Sequence, residues 1–241
     1  MAEAEGRVPL DLLVRPSTVQ GQAVEKLRQA IIAGVFKPGD RLVEARLCKM
    51  LGVSRPSVRE ALRSLEAQHL IAIVPNRGTQ IPFISWQEAR DIYHVRALLE
   101  GDAAALCATR ASAEDVAAMR SALDDFAVAV QKGDRAGLLK DTARFYAVIL
   151  RSCGNAVIAD MLVGLLARIS FLRDRSMSRT GRSALSLAEM RAICDAIESG
   201  DEAAARAAAI LHVQMASEAA RETYEDDAAT PAMSTPRRSG T

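Results

Sequence analysis

The passage LVEARLCKMLGVSRPSVREALRSLEAQHLIAIVPNRGTQI, Leu42 to Ile81, limits what this chain can fold into more than any other. Its start predicts a short helix with Leu47, Met50 and Leu51 on one face. Gly52 ends that helix, because glycine takes the positive φ of a tight exit without steric cost. Ser54 is placed to cap a second helix, and Pro56 falls in the first turn, where a missing N–H does no harm. The second helix repeats apolar residues at Val58, Ala61, Leu62 and Leu65, the i, i+3, i+4, i+7 spacing of one buried face. Its other face carries Arg55, Ser57, Arg59 and Arg63. A helix that packs on one side and presents cations and a hydroxyl on the other has what is needed to enter the major groove of double-stranded DNA. Leu70–Val74 and Thr79–Phe83 then read as a hairpin joined by Pro75-Asn76-Arg77-Gly78, a wing with a cationic tip. The expected unit is a winged helix-turn-helix. The plain alternative, a helical corner followed by a hairpin, does not account for the one-sided charge.

Charge is also divided along the chain. The net of +1 hides +5 between residues 17 and 83 (10 Lys+Arg against 5 Asp+Glu), −3 from residue 84 onward (19 against 22) and −1 in residues 1–16. A basic head on a mildly acidic body suits one part that meets phosphate and one that does not. Aromatic residues make up 4%, so the core must be aliphatic. No apolar run approaches the ~18 residues of a membrane span, and the N-terminus lacks the basic-then-apolar order of a secretory signal. Cys48, Cys107, Cys153 and Cys194 stand far apart, which suggests free thiols in a reducing cytoplasm rather than a disulfide framework or zinc knuckle.

With Gly52, Val53, Ser54, Arg55, Val58, Arg59, Glu60, Ala61, Leu62, Leu65, Leu70, Pro75, Arg77 and Gly78 in place, the passage resembles the GntR family of bacterial transcription regulators. Ile31, Gly34, Pro38, Gly39 and Leu42 match the same family upstream. The resemblance implies that Ser54, Arg55, Ser57, Arg59 and Arg63 of the second helix, and Arg77, Gly78 and Thr79 of the wing, meet operator DNA. Two departures stand out. Position 45 is Ala where the FadR type often has a DNA-contacting Arg; the neighbouring Arg46, on a different face, is the candidate DNA contact in its place. Positions 56–57 are Pro-Ser rather than Thr-Pro.

The organisation expected from the whole chain is mainly α: a flexible arm over residues 1–16, the winged head over 17–83, a helical domain over 84–224 and a disordered tail over 225–241. The head begins with a helix from about Thr18 to Ala33, with Val24, Leu27 and Ile31 inward. After the wing the text is uninterrupted helix. Ser85-Trp-Gln-Glu88 reads as a capping box opening a helix to about Arg110, and Ser112-Ala-Glu-Asp115 opens a second, to Lys132-Gly133. Asp134 caps a third, to Cys153-Gly154, and a fourth spans Asn155–Met177. Residues 179–183 read as a loop, with Ser186 and Glu189 as another capping signal in a fifth helix that ends at Ser199-Gly200. Asp201 starts a sixth, to about Tyr224. This all-α six-helix bundle resembles the FCD effector-binding domain of the FadR subfamily, in its VanR-like branch. The landmarks are Val95-Arg96, Leu99-Glu100, Phe145, Gly154-Asn155, Ala196-Ile197, Gly200-Asp201, Ala205 and His212.

Many FCD domains hold a divalent metal with an Asp and three His. Carried over by resemblance, those positions here are Thr142, Tyr146, Met190 and His212, and only the last keeps a ligand. Asp141 is one residue off, about 100° around a helix. No metal and no other cofactor is therefore expected. Thr142 and Tyr146 offer hydroxyls and His212 an imidazole. Arg96 resembles the family's pocket arginine, which would hold a carboxylate. The candidate effector residues are thus Arg96, Thr142, Tyr146, Asn155, Met190 and His212, with a small organic acid as ligand. For several of these residues a merely structural role is the competing reading. His212 could be a satisfied core histidine, Tyr146 and Met190 plugs of the old metal cavity, and Arg96 the partner of Glu100 one turn on.

No catalytic motif is present, although an acid–base enzyme built on Glu100, Tyr146 and His212 is conceivable. A DNA-binding architectural protein indifferent to ligands is the other alternative. The expectation is a cytoplasmic homodimer that binds a palindromic operator and represses, its affinity set by the effector.

Overall fold

The computed structural model describes residues 19–229 except residue 33. Among them are nine helices and one two-stranded sheet. The head opens with α1 (Val19–Ile32), whose buried stripe is Ala23, Leu27 and Ile31; Val24 is only half-buried. The expected ends of this helix, Thr18 and Ala33, lie outside the described residues. α2 (Glu44–Leu51) ends at Gly52, at φ 67°, whose N–H returns to the Cys48 carbonyl. α3 (Arg55–Ala67) is capped by Ser54, whose Oγ accepts from the Ser57 N–H, and buries Val58, Ala61, Leu62 and Leu65. Met50 departs from the predicted face of α2: it is 52% exposed. On a helix of barely two turns, Leu47 and half-buried Cys48 and Leu51 fill the space against the rest of the head, leaving Met50 in solvent.

The wing is shorter than its apolar text. β1 (Ala72–Val74) and β2 (Gly78–Gln80) pair antiparallel, with Val74 opposite Gly78. Leu70 and Ile71 are buried before the strand begins, and Phe83 lies past its end, exposed. Residues 39–42 extend the sheet on its other edge. Leu42 N–H donates to the Thr79 carbonyl, Ile81 N–H to that of Asp40, and Gly39 N–H to that of Ile81.

The six bundle helices follow: α4 (Trp86–Ala108), α5 (Ala113–Lys132), α6 (Arg135–Ser152), α7 (Ala156–Met177), α8 (Arg182–Glu198) and α9 (Glu202–Ala229). Ser112 and Asp115 make the full reciprocal box. Ser85 accepts from the Glu88 N–H, but the Glu88 carboxylate goes to Arg168 of α7, so that box is half made. Asp134 and Asn155 cap α6 and α7 through the N–H groups of Gly137 and Ile158. α4 and α9 pack along their lengths, closely at Gly101, where a β-carbon would lie 2.9 Å from Ile210.

Two boundaries correct the sequence reading. α8 starts at Arg182, directly after Gly181 at φ 79°, so Ser186 and Glu189 lie inside the helix rather than at its cap. Ser186 is buried, and the Glu189 carboxylate is held by Arg182 and His212. α9 continues beyond Tyr224 through Glu225, Asp226 and Asp227, because Arg221, Arg179 and Arg175 pair with those acids in turn. Residues 230–241, the rest of the expected tail, and 1–18, which include the expected arm, lie outside the described residues. The cysteines are free thiols. Burial pushes Cys107 up to about 12 and Cys194 up to about 11, which makes them inert packing groups.

Candidate nucleic-acid interface and a buried cationic cluster

The polar face of α3 stands clear of the head's core. Arg55, Arg59 and Arg63 are exposed, as are Arg46 on α2 and Arg77 and Gly78 at the wing tip; Ser57 and Thr79 are half-buried. Ser54 caps the helix and is also 2.9 Å from the Ser57 hydroxyl. Arg59 is not idle in the absence of DNA. Its Nε lies 3.0 Å from both carboxylate oxygens of Glu44, and this pairing raises its pKa. Arg63 pairs with Glu60 in the same way, at 2.6 Å. These exposed carboxylates occupy the cations loosely and can be exchanged for phosphate. Arg41 is a cation the sequence reading missed. It bridges to Gln80 and reaches toward Gly78, 3.6 Å from where a β-carbon would stand, so it flanks the wing. Its only sequence signal is the residue beside Leu42 in the upstream turn.

In the bundle the polar residues are buried instead. Arg96, Thr142, Tyr146, Met190 and His212 all lie inside. Arg96, 0% exposed, donates from Nε to Glu100 at 2.8 Å and from Nη2 at 3.4 Å. Burial alone would lower its pKa, but Glu100 outweighs that and holds it raised. Burial would raise the Glu100 pKa; Arg96 first, then Arg173, hold it low. Thr142 spends its hydroxyl on the Leu138 carbonyl. Asn155 uses its side chain as the α7 cap. His212 Nδ1 is 2.7 Å from Glu189, which also takes two bonds from Arg182, at 3.0 and 2.7 Å. Burial keeps the His212 pKa below its ordinary value against the pull of Glu189. Tyr146 is driven well above the ordinary range by burial and then by Glu100, so it keeps its proton.

Two members of this cluster, Arg173 and Arg182, were not singled out in the sequence, and Ser186 was read only as a capping signal. Arg173 sits on the buried stripe of α7 with Leu162, Ile169 and Ser176. A cation at an apolar period was the signal to follow. Its guanidinium lies over the Tyr146 ring, 4.6 Å from the centroid. Burial and the neighbouring Arg96 both lower its pKa. No carboxylate among the described residues lies within ion-pair distance of Arg173. Buried donors without partners cluster here: Arg96 Nη1, Arg173 Nε, Arg182 Nε, the Tyr146 hydroxyl and Ser186 Oγ.

This chemistry does not fit a divalent metal. One imidazole, already engaged by Glu189, is joined by a threonine hydroxyl committed to backbone, a tyrosine that holds its proton and a methionine. Three buried guanidinium groups surround them, which disfavours a cation and favours an anion.

A winged helix-turn-helix with an exposed cationic face, carried on an all-α bundle, defines a class of DNA-binding regulators. Residues 19–81 match the bacterial regulatory proteins of the gntR family, and residues 91–215 match the FCD domain. The chain belongs to the GntR family of transcriptional regulators, in the branch that carries an FCD domain, and it is not an enzyme. It is 26% identical over 201 residues to the HTH-type transcriptional regulator YdhC of Bacillus subtilis, covering 83% of this chain and 90% of that one. It is 28% identical over 208 residues to the galactonate operon transcriptional repressor of Escherichia coli, covering 78% and 90%. Among solved structures, E. coli McbR/YncC superposes with a TM-score of 0.76 at 21% identity, over 88% of this chain and 100% of that one, which shows the fold. No helix among the described residues is long and apolar enough to cross a membrane.

Proposed function

We propose that this regulator is a homodimeric, cytoplasmic repressor whose grip on a palindromic operator is set by a small carboxylic acid bound in the bundle. The observation that carries the effector is the charge of the buried cluster. Arg96 and Arg182 pair with Glu100 and Glu189; among the described residues Arg173 has no carboxylate within ion-pair distance and feels only the more distant charge of Glu100. A buried guanidinium without a counter-charge is costly, and a bound carboxylate offsets that cost through charge-assisted hydrogen bonds. Repression is supported by the likeness to a protein named as an operon repressor. Two copies are required because one head covers about half a site. The surface of α4 and α7 supports the pairing. Val95 and Leu98 on α4, and Val157, Met161 and Gly164 on α7, line up as exposed stripes at helical spacing. A groove lined by Ile92, Val95, Leu165 and Arg168 joins the two helices.

Operator contact is assigned to Arg46, Ser54, Arg55, Ser57, Arg59, Arg63, Arg77, Gly78 and Thr79, with Arg41 beside the wing. Effector contact is assigned to Arg96, Tyr146 and His212, with Arg173 added; Thr142, Asn155 and Met190 shape the helices around it. A melting-temperature screen of the chelator-treated protein tests this reading, with galactonate and other small acids against zinc, nickel and manganese. Ligands that bind only the folded state raise the midpoint. A rise with an acid alone is expected. A rise with a metal that is lost in His212→Ala would overturn the anion reading.

A further inference from the structure

The cavity that reaches Arg173 lies between the head and the bundle. It has a volume of about 700 Å³ and is walled by Asp141 and Lys140 of α6, Lys132 and Val128 of α5, Arg173 of α7, and Gln29 and Ile32 of the head's α1. Helix α1 therefore forms one wall of the space in which the unpaired guanidinium lies. The two halves of the molecule already meet here, since Phe171 of α7 packs into the head's own core. Arg173 is 5% exposed and stacked over Tyr146, whose unpartnered hydroxyl, with Arg96 Nη1 behind it, continues the donor set inward. The acids on this wall are largely committed: Asp125 and Asp141 both pair with Arg144, at 2.5 and 3.0 Å, and Asp134 caps α6.

We infer that the cavity between α1 and helices α5–α7 is the ligand site, and that its occupant is a small monocarboxylate seated on Arg173, with its body against Gln29 and Ile32. One charge is called for because, of the three buried guanidinium groups, Arg173 alone has no carboxylate within ion-pair distance among the described residues, the buried Asp141 on the cavity wall being taken by Arg144. A volume of this size lies within the range of small-molecule sites. The rim is mixed, with Lys132, Lys140, Asp125, Asp134 and the Gln29 amide beside Ile32 and Val128, which suits a body with hydroxyls on an apolar frame. The consequence is regulatory. A ligand that touches α1 and α7 together has a different contact free energy for each head orientation, and that difference is what shifts a conformational equilibrium. No relay through the bundle is needed.

This inference rests on the carboxylate reading above, and the test separates the two. The full chain is melted with acetate, lactate, benzoate and galactonate, and with succinate as a doubly charged comparison, at millimolar concentration and matched ionic strength. The variants are Arg173→Gln, Gln29→Trp, which fills the cavity from the head, and Val128→Trp, which fills it from the bundle. Both tryptophans replace exposed side chains, so the variants should fold, and far-UV circular dichroism verifies it. The expected result is a midpoint rise with a monocarboxylate in the wild type that is absent in all three variants. A rise lost in Arg173→Gln but kept in both tryptophan variants would overturn the bridging site while leaving the carboxylate reading intact. A rise kept in Arg173→Gln would overturn the seat on Arg173, and one greater with succinate than with any single acid would overturn the monocarboxylate. No rise with any of the acids would remove both readings.

Discussion

Arginine does two different jobs in the two halves of this molecule. In the head, Arg55, Arg59, Arg63 and Arg77 stand in water, and those with partners share exposed carboxylates, Glu44 and Glu60. In the bundle, Arg96, Arg173 and Arg182 are 5% exposed or less, and Glu100 and Glu189, the partners of Arg96 and Arg182, are buried or half-buried with them. The exposed pairs are weak and exchangeable, which lets phosphate take the carboxylate's place. The buried pairs are held by the absence of water, so removing one partner strands a charge. The same side chain is thus a mobile contact in one place and a fixed recognition element in the other.

The sharpest way to break this contrast is to remove one acid from each region. Glu100→Gln should cost about 3–5 kcal/mol of folding stability, because Arg96 then loses its counter-charge in the core. Glu44→Gln should leave the denaturation midpoint unchanged. Urea melts of the two variants side by side check this, and equal effects would erase the distinction. The next effect is on DNA. Arg59→Ala should weaken operator binding by about 5- to 150-fold and reduce the salt slope of binding by about one if the contact is to phosphate. Its stability should match the wild type. Anisotropy titrations over a range of salt, with an operator selected from a random pool, supply both numbers. Unchanged affinity would mean that α3 is not the reading helix.

A smaller effect follows from His212. Burial lowers its folded pKa, so the imidazole stays neutral in the fold where the unfolded chain takes a proton. The unfolded state binds more protons as pH falls below about 6.5. Stability should therefore rise with pH from about 5 to 7 and flatten above, and the rise should be shallower in His212→Gln. Glu189 adds to it at lower pH, since its folded pKa is also depressed: burial opposes this, but His212 and Arg182 prevail. A slope of the opposite sign would place a charged His212 in the fold. The smallest effect is at the exit of α3, where His69 adopts φ 57°. His69→Gly should relieve a strain of about 1 kcal/mol, partly offset by the greater freedom of glycine in the unfolded chain.

What could be read from the sequence follows from how local each signal is. The α2–Gly52–α3 corner, the Ser54, Ser112 and Asp134 caps and the apolar stripe of α3 are set by residues within one or two turns, and they stand where the sequence puts them. Ser186 and Glu189 have the spacing of a cap but serve the core, because Arg182 and His212 reach Glu189 from its own helix and from α9. Nothing local distinguishes those uses. Arg173 was missed for the same reason. The resemblance to metal-binding relatives points to positions on α6, α8 and α9, whereas Arg173 stands on α7. The continuation of α9 past Tyr224 likewise depends on Arg175 and Arg179 of α7 and the turn after it.

Coupling between the two regions is the central claim, and operator affinity with and without the monocarboxylate that raises the melting point measures it directly. The selected duplex should carry inverted half-sites one helical turn apart, as two heads require. The acid should change wild-type affinity by about 5- to 150-fold, the usual range of a coupling free energy. Arg173→Gln should bind the same duplex as the wild type does without acid, and the acid should leave it unmoved. An equal response in wild type and Arg173→Gln, or none in the wild type while the acid is bound, would contradict the account.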